Sequence, residues 1–120
     1  MLLVGLAGAL GAVSRFGLER AISARRGVRF PLGTLVVNVS GSFALGLLVG
    51  LAVAHGLDPT ARRVLGPGFL GAYTTFSTHA YETFTLIGTR GRGAAVAYAV
   101  GSLLAGTVAA AAGLALTGGW

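Results

Sequence analysis

Four charge-poor apolar segments of membrane-spanning length constrain this 120-residue chain more than any other feature of its sequence. They cover about residues 2–22, 32–54, 64–87 and 94–116. A helix needs about 20 apolar residues to cross the hydrocarbon core of a bilayer, whereas a transmembrane strand is shorter and alternates in polarity. The pattern therefore predicts an all-α membrane protein, with one transmembrane domain of four helices over residues 1–120.

Composition and charge agree with a membrane protein and exclude several other classes. Apolar residues make up 54% of the chain and charged residues 10%, whereas a soluble domain carries about a quarter charged residues. The net charge of +6 comes from arginines between the apolar segments, where cations meet lipid head groups. No basic stripe is interleaved with aromatic residues, so the expected partner is the lipid bilayer and not a nucleic acid. The absence of cysteine excludes disulfides and thiolate metal sites.

The third apolar segment contains a run of glycine and hydroxyl residues that is poor material for an unbroken helix in lipid. Gly68 and Gly71 are followed by three threonines and a serine within residues 74–78. Polar backbone at bilayer depth is tolerated only where protein or a watery path satisfies it. We therefore predict that the third helix is broken near Gly71–Ser77, and that the break forms an ion or solute site.

Polar side chains in the second and fourth segments recur at helical spacing. Thr34, Asn38 and Ser42 are four residues apart and share one helix face, and Tyr98 and Ser102 have the same spacing. If the two stripes face each other, they form a polar track across the bilayer. Interhelical hydrogen bonds that only hold the bundle together explain the same spacing equally well.

Three ionisable residues inside the apolar segments are further candidates. His79 and Glu82 are three residues apart, so each can stabilise the charged form of the other on one helix face. A position near the membrane surface is an equally weighted explanation for Glu82. Arg15 either extends to the interface, forms a structural ion pair, or attracts an anion towards a pathway. No catalytic constellation or metal-ligand spacing accompanies them, so we expect no enzyme activity.

Three motifs, one in each of the first three segments, resemble those of a known family. They read Gly8-x-x-Gly11-x-x-x-Arg15, Pro31-x-Gly33-Thr34-Leu35-x-Val37-Asn38-x-x-Gly41-Ser42-Phe43 and Gly68-Phe69-x-Gly71-x-x-Thr74-Thr75-Phe76-Ser77-Thr78. Taken together, they are similar to the Fluc/CrcB fluoride channel family over the whole chain. The resemblance implies a fluoride-selective channel that lowers cytoplasmic fluoride by passive export. It also implies an antiparallel, dual-topology dimer with pores along the subunit interface, in a plasma membrane of the prokaryotic inner-membrane type.

The resemblance also assigns roles to individual residues. It implies a central structural Na⁺ held by the backbone carbonyls of Gly71 and Thr74, which suits the preference of hard cations for oxygen ligands. Asn38 would be an amide donor in the pore, and Phe76 one member of the family's phenylalanine box. The positive edge of an aromatic ring can face a small anion. The implied polar groups along or near the pathway are Ser77, Thr78, Tyr98 and Ser102.

The chain departs from the family pattern at His79, where a second phenylalanine is common. A neutral imidazole can donate an N–H group to fluoride, whereas a protonated one would bind the anion too tightly to pass it on. The alternative interpretation is a remnant that does not conduct. The hydroxyl often found one turn beyond Ser102 is also absent, because that position is Gly106.

The arginines are distributed unevenly between the two ends of a four-helix bundle. Two of them, Arg62 and Arg63, fall on the side of the termini. Leaving out Arg15, the six on the opposite side are Arg20, Arg25, Arg26, Arg29, Arg90 and Arg92. The positive-inside rule then places both termini outside, whereas a dual-topology homodimer should show little bias.

Four hypotheses follow from these patterns. A homodimeric channel is slightly preferred, because homodimers are the commoner small oligomers. The charge bias and His79 favour pairing with an oppositely oriented homologous subunit. A proton-coupled small transporter would use His79 and Glu82 as proton carriers. A subunit that transports nothing would use the polar stripes only for assembly.

Overall fold

The computed structural model describes residues 1–26 and 30–119, and all regular elements in these two ranges are helical. The elements are α1 (Leu2–Arg26), α2 (Leu32–His55), α3 (Pro59–Arg63), a π-helical segment (Val64–Leu70), α4 (Gly71–Tyr73), α5 (Ser77–Arg90) and α6 (Arg92–Leu116). Within the described residues, α1, α2 and α6 are long and apolar enough to cross a membrane. The all-α class is therefore confirmed.

The helices extend further than the polar residues of the sequence indicate. The helix α1 continues to Arg26, because polar side chains such as Ser14 and Glu19 leave its backbone ladder intact. Of the predicted connection over residues 23–31, residues 23–26 belong to α1, and residues 27–29 lie outside the described residues. The third helical region begins at Pro59, where the Asp58 carboxylate accepts the Ala61 N–H at 3.0 Å. An aspartate cap followed by proline is a favourable helix start.

A single glycine joins α5 to α6, where the sequence indicates a loop over residues 88–93. Gly91 has φ 89° and ψ 170°, a backbone conformation that is essentially restricted to glycine. This conformation reverses the chain direction within one residue. Gly88 and Gly93 are therefore free to lie in the flanking helices.

The third helical region changes its winding before it breaks. Pro67 lacks an N–H group, and the wider turns of the π-helical segment accommodate it, with the Gly71 N–H donating to the Gly66 carbonyl. The helix then stops after Tyr73, because Thr74 is extended with ψ 157°. It resumes at Ser77 as α5. The chain is thus broken over residues 74–76, inside the predicted window.

Close glycine contacts hold together the helices that surround this break. The α2 helix packs most extensively on α6, and a Cβ atom on Gly46 or Gly113 would collide with the carbonyl of Ala110 or Phe43, respectively. The α1 helix packs on the π-helical segment, where Gly11 meets the Phe69 carbonyl in the same way. Small residues allow backbones in lipid to approach this closely. The break is consequently fixed between α1 and α2.

Most large apolar side chains point outward from the single chain. Leu10, Val13 and Leu103 are each more than half exposed, whereas Val37 is fully buried. Exposed apolar surface of this extent marks a membrane or an interface with another protein. The fold therefore needs lipid, a second chain, or both, to cover it.

Candidate ion pathway

The break is held open by a reciprocal pair of hydrogen bonds between Asn38 on α2 and the backbone of Thr75. The Asn38 Nδ2 donates to the Thr75 carbonyl at 2.8 Å, and the Thr75 N–H donates to the Asn38 Oδ1 at 2.8 Å. An unbroken helix would bond both backbone groups internally. The Asn38 amide replaces those partners, a role that its helical spacing does not indicate. One of its two N–H donors remains for other groups.

The carbonyl oxygens of Gly71 and Thr74 lose their helical donors at this point. In an α-helix these carbonyls would accept from the N–H groups of Thr75 and Thr78. Here the Thr75 N–H donates to Asn38, and the Thr78 N–H donates to the Thr75 Oγ1 at 3.2 Å. Backbone carbonyls released in this way are suitable ligands for a hard cation. The arrangement is compatible with the pair of Na⁺ ligands that the family resemblance implies.

Hydroxyl groups around Thr75 close the other side of the break. The Thr75 Oγ1 donates to the Thr78 Oγ1 at 3.1 Å and lies 3.4 Å from the Ser77 Oγ. The Thr74 Oγ1 donates to the Leu70 carbonyl at 2.9 Å. Ser77 and Thr78, in the first turn of α5, thus contact the Thr75 hydroxyl, and neither is among the residues that line the groove described next.

An open groove of about 480 Å³ runs from the break along α2, α5 and α6. Its polar wall consists of Asn38, Ser42, Thr74, Thr75, Ser102 and Thr107. The rings of Phe76 and His79 form its edge, and Gly106 leaves space where the family often has a hydroxyl. The Ser102 Oγ is buried and has no hydrogen-bond partner within the described chain, so it is available to a bound ion or water.

The two aromatic edges of the groove have different surroundings. The His79 ring lies 4.8 Å from the Tyr98 ring and 6.3 Å from the Phe76 ring, measured between centroids. Tyr98 is 2% exposed and also contacts the edge of Phe30. Phe76 is 82% exposed. His79 is therefore fixed against the core, and Phe76 projects from the chain.

Glu82 is bound by two hydroxyl groups and not by His79. Its Oε1 accepts from the Thr34 Oγ1 and its Oε2 from the Tyr98 hydroxyl, both at 3.0 Å. Thr34 and Tyr98 are each 2% exposed, so these donors are shielded from solvent. No hydrogen bond or ion pair joins His79 to Glu82 within the described residues. The predicted His79–Glu82 partnership is thus replaced by hydroxyl donors from α2 and α6.

Arg15 lies on α1, away from the groove, and is half-buried. One turn further along α1, the Glu19 Oε1 is buried and has no hydrogen-bond partner among the described residues. Glu19 shares a second, smaller cavity of about 190 Å³ with Thr34 and Glu82. Acidic groups therefore gather behind the groove, and none of them lines it.

Comparison with known proteins places the chain in a family. A family model described as CrcB-like protein, Camphor Resistance (CrcB), matches residues 2–114. The chain belongs to the CrcB family. Among its relatives within CrcB, the fluoride-specific ion channel FluC 1 of Leifsonia xyli subsp. xyli is 48% identical over 118 residues, which cover 98% of this chain and 86% of that protein.

Two further CrcB relatives carry the same description. The fluoride-specific ion channel FluC 2 of Cutibacterium acnes is 47% identical over 97% of this chain and 95% of its own length. A fluoride-specific ion channel FluC of Thermus thermophilus is 44% identical over 98% of this chain and 94% of its own length. CrcB proteins are thus membrane channels and not enzymes.

In this CrcB chain, four of the predicted pathway residues meet in the groove. They are Asn38, Phe76, His79 and Ser102. Tyr98 lies beneath His79, and its hydroxyl points to Glu82. The sequence pattern assigns no channel role to Thr75 or Glu82, although both stand in its polar stretch. The structure adds that both residues pair with α2, Thr75 with Asn38 and Glu82 with Thr34.

Proposed function

We propose that this chain forms a fluoride-selective channel that exports fluoride passively across a prokaryotic-type inner membrane. The observation that carries the proposal is the groove at the helix break, where hydroxyl and amide groups line one wall among apolar side chains, and where no carboxylate or arginine is among the described lining residues. Neutral donors can replace the hydration of a small anion without the permanent charge that would retain it, as conduction requires. The names of the CrcB relatives supply the choice of fluoride as the ion.

The pathway is completed by a second chain in an antiparallel dimer. The groove is open on one side, and the Phe76 ring beside it is 82% exposed, which favours a partner surface at this edge. In such a dimer, each pore lies at the subunit interface and is edged by aromatic rings from both chains. The positive ring edge of Phe76 faces the anion without adding a net charge.

A structural Na⁺ lies between the two chains in this proposal. One chain offers the two carbonyls of Gly71 and Thr74, whereas a hard cation takes several oxygen ligands. A second chain related by a two-fold axis supplies the same two groups and doubles the number. When bound, the cation would neutralise carbonyl dipoles that otherwise face each other across the interface.

Fluoride efflux from liposomes containing the purified chain tests the proposal. We expect efflux without a proton gradient, exclusion of chloride, and strong suppression by Phe76→Ile and by Asn38→Asp. Phe84→Ile is the matched control, because Phe84 is also exposed on α5 but does not line the groove. Efflux that vanishes without a pH gradient would support a transporter instead. The absence of flux under every ionic condition, with or without a pH gradient, would support a subunit that only takes part in assembly.

A second candidate is a subunit of a heterodimeric fluoride channel. The six arginines on one side against two on the other favour one orientation, so an oppositely oriented homologue would complete the dimer. Expression alone in a fluoride-sensitive host, with the termini labelled from each side of the membrane, separates the two assemblies. Full rescue with termini on both faces would exclude the heterodimer.

A further inference from the structure

We propose that His79 makes fluoride passage proton-dependent: the neutral imidazole lets the ion leave the groove, and the imidazolium retains it. The inference rests on the proposed fluoride channel and adds a regulation of the same groove. It concerns a lining residue of the groove and does not require the Na⁺ site.

His79 is the one described lining residue of the groove whose side-chain type changes charge between about pH 5 and about pH 8. Its ring nitrogens make no hydrogen bond within the described part of the chain. The ring nevertheless packs on the Tyr98 ring, with 4.8 Å between the two ring centroids. A positioned imidazole with free nitrogen atoms is therefore available to an ion in the groove.

The Ser102 hydroxyl provides a second, independent indication that a ligand binds at this place. Its oxygen is buried, lacks a hydrogen-bond partner among the described residues, and belongs to the same groove wall as His79. Asn38 also lines this wall and retains one N–H donor. Hydroxyl, amide and imidazole groups thus line the same open groove of about 480 Å³.

Apart from His79, no titratable side chain of the surrounding helices lines the groove in the described part of the chain, and Tyr81, Arg90 and Arg92 on α5 and α6 lie outside it. Tyr98 on α6 donates its hydroxyl to Glu82 on α5, one turn beyond His79. Tyr73 on α4 shares a hydrogen bond of 2.9 Å with Ser40. The α2 helix carries no titratable side chain apart from His55 at its end. The described part of α1 contributes Arg15, Glu19 and Arg20, of which Glu19 and Arg20 line the second cavity.

Protonation of His79 would change the groove from a neutral to a cationic site. In a partly desolvated cavity, a unit charge attracts an anion far more strongly than neutral donors do. Conduction requires binding that is weak enough for the ion to leave. We therefore expect acidification to tighten fluoride binding and to lower the turnover at saturating fluoride.

Efflux at saturating fluoride, measured with equal pH on both sides, tests this proposal. From about pH 8 to about pH 5.5, where histidine gains its charge, we expect efflux by the unmodified protein to fall by about tenfold. His79→Phe should remove this pH dependence. His55→Phe is the matched control, because His55 is exposed at the end of α2 and should leave the dependence intact. Fluoride efflux by the unmodified protein at pH 8 tests the proposed channel function separately, because its absence there would contradict the channel and not only the pH dependence.

A binding measurement keeps the test independent of conduction. By thermodynamic reciprocity, an imidazolium that binds fluoride must become more protonated when fluoride is added at fixed pH. Imidazole NMR signals at about pH 6.5 should therefore show this change for His79 with fluoride, but not with chloride and not for His55. Unchanged protonation of His79, or the same pH dependence in His79→Phe as in the unmodified protein, would overturn the proposal.

Discussion

Asn38 and Thr75 exchange two hydrogen bonds of 2.8 Å, so that one side chain of α2 satisfies both backbone groups of a residue in the helix break. Thr75 is 7% exposed, and water cannot easily take over this task. The break can therefore close only if Asn38 releases both bonds. Asn38 is in this sense a positioning residue for the whole third helical region.

Replacing Asn38 by leucine should destabilise the protein and abolish fluoride efflux. Each backbone group of Thr75 left unpaired costs about 1–3 kcal/mol, and leucine satisfies neither. Thermal unfolding in detergent measures the first effect and liposome efflux the second. Ser40 is on the same helix as Asn38, and its exposed hydroxyl contacts Tyr73 of α4. Ser40→Ala removes this contact and should change the stability and the efflux only slightly. Equal stability of the two variants would contradict the assigned role.

Removing the hydroxyl of Tyr98 should weaken the fold more than removing that of Tyr81. The Tyr98 hydroxyl is shielded and donates to Glu82 at 3.0 Å, and a hydrogen bond to a charged group contributes about 1.5–3 kcal/mol. Tyr81 is 72% exposed on the same helix as Glu82. The free energies of unfolding of Tyr98→Phe and Tyr81→Phe give the comparison. A double-mutant cycle with Thr34→Val then shows whether both hydroxyls act on one carboxylate.

Alanine at Gly113 should disrupt the contact between α2 and α6. Its Cβ atom would collide with the backbone carbonyl of Phe43, and a backbone atom cannot give way without shifting the helix. Gly101→Ala on the same helix meets nothing within 4 Å and should stabilise α6 by about 1 kcal/mol, the usual helix preference for alanine. The unfolding midpoints should therefore move in opposite directions. A shift of the same sign would show that the two helices are not in close contact at Gly113.

Alanine at Gly91 should destabilise the connection between α5 and α6. The conformation with φ 89° and ψ 170° costs a residue with a Cβ atom about 1–3 kcal/mol. Gly88→Ala lies in α5, meets no atom within 4 Å, and should be neutral or stabilising. Thermal unfolding of both variants measures the difference. Equal tolerance of alanine at the two sites would show that the turn is longer than one residue.

Exchanging Na⁺ for a bulky organic cation should lower the stability of the proposed dimer. A ligand present at about 100 times its dissociation constant stabilises the bound state by about 2.7 kcal/mol. The released carbonyls of Gly71 and Thr74 would then be left facing their counterparts. Size-exclusion chromatography and thermal unfolding in the two salts report the loss. Identical behaviour in both salts would refute the cation site.

The sequence was sufficient for the features that depend on composition and local spacing. Helix class, the apolar segments and the position of the break follow from hydropathy and from the hydroxyl run around Thr75. Thr34, Asn38 and Ser42 also share one face of α2, as their four-residue spacing indicates. These features are set by neighbours in the sequence.

The partners of the polar residues could not be predicted, because they depend on helix packing. His79 and Glu82 have suitable spacing for an ion pair, but the hydroxyls of Thr34 and Tyr98 reach the carboxylate from other helices. The helix boundaries at Pro59 and Gly91 depend on one cap and one unusual backbone conformation. Hydropathy averages over windows and does not detect either.

The one-residue turn at Gly91 has a consequence for how the chain enters a membrane during synthesis. The α5 helix carries many hydroxyls and does not meet the length and hydropathy of a spanning segment, whereas α6 does. With a single glycine between them, α5 packs back along α6, so in the folded protein it lies beside a helix that crosses the bilayer. The two helices must insert together as a hairpin, and a nascent chain that stops before α6 would leave α5 outside the lipid.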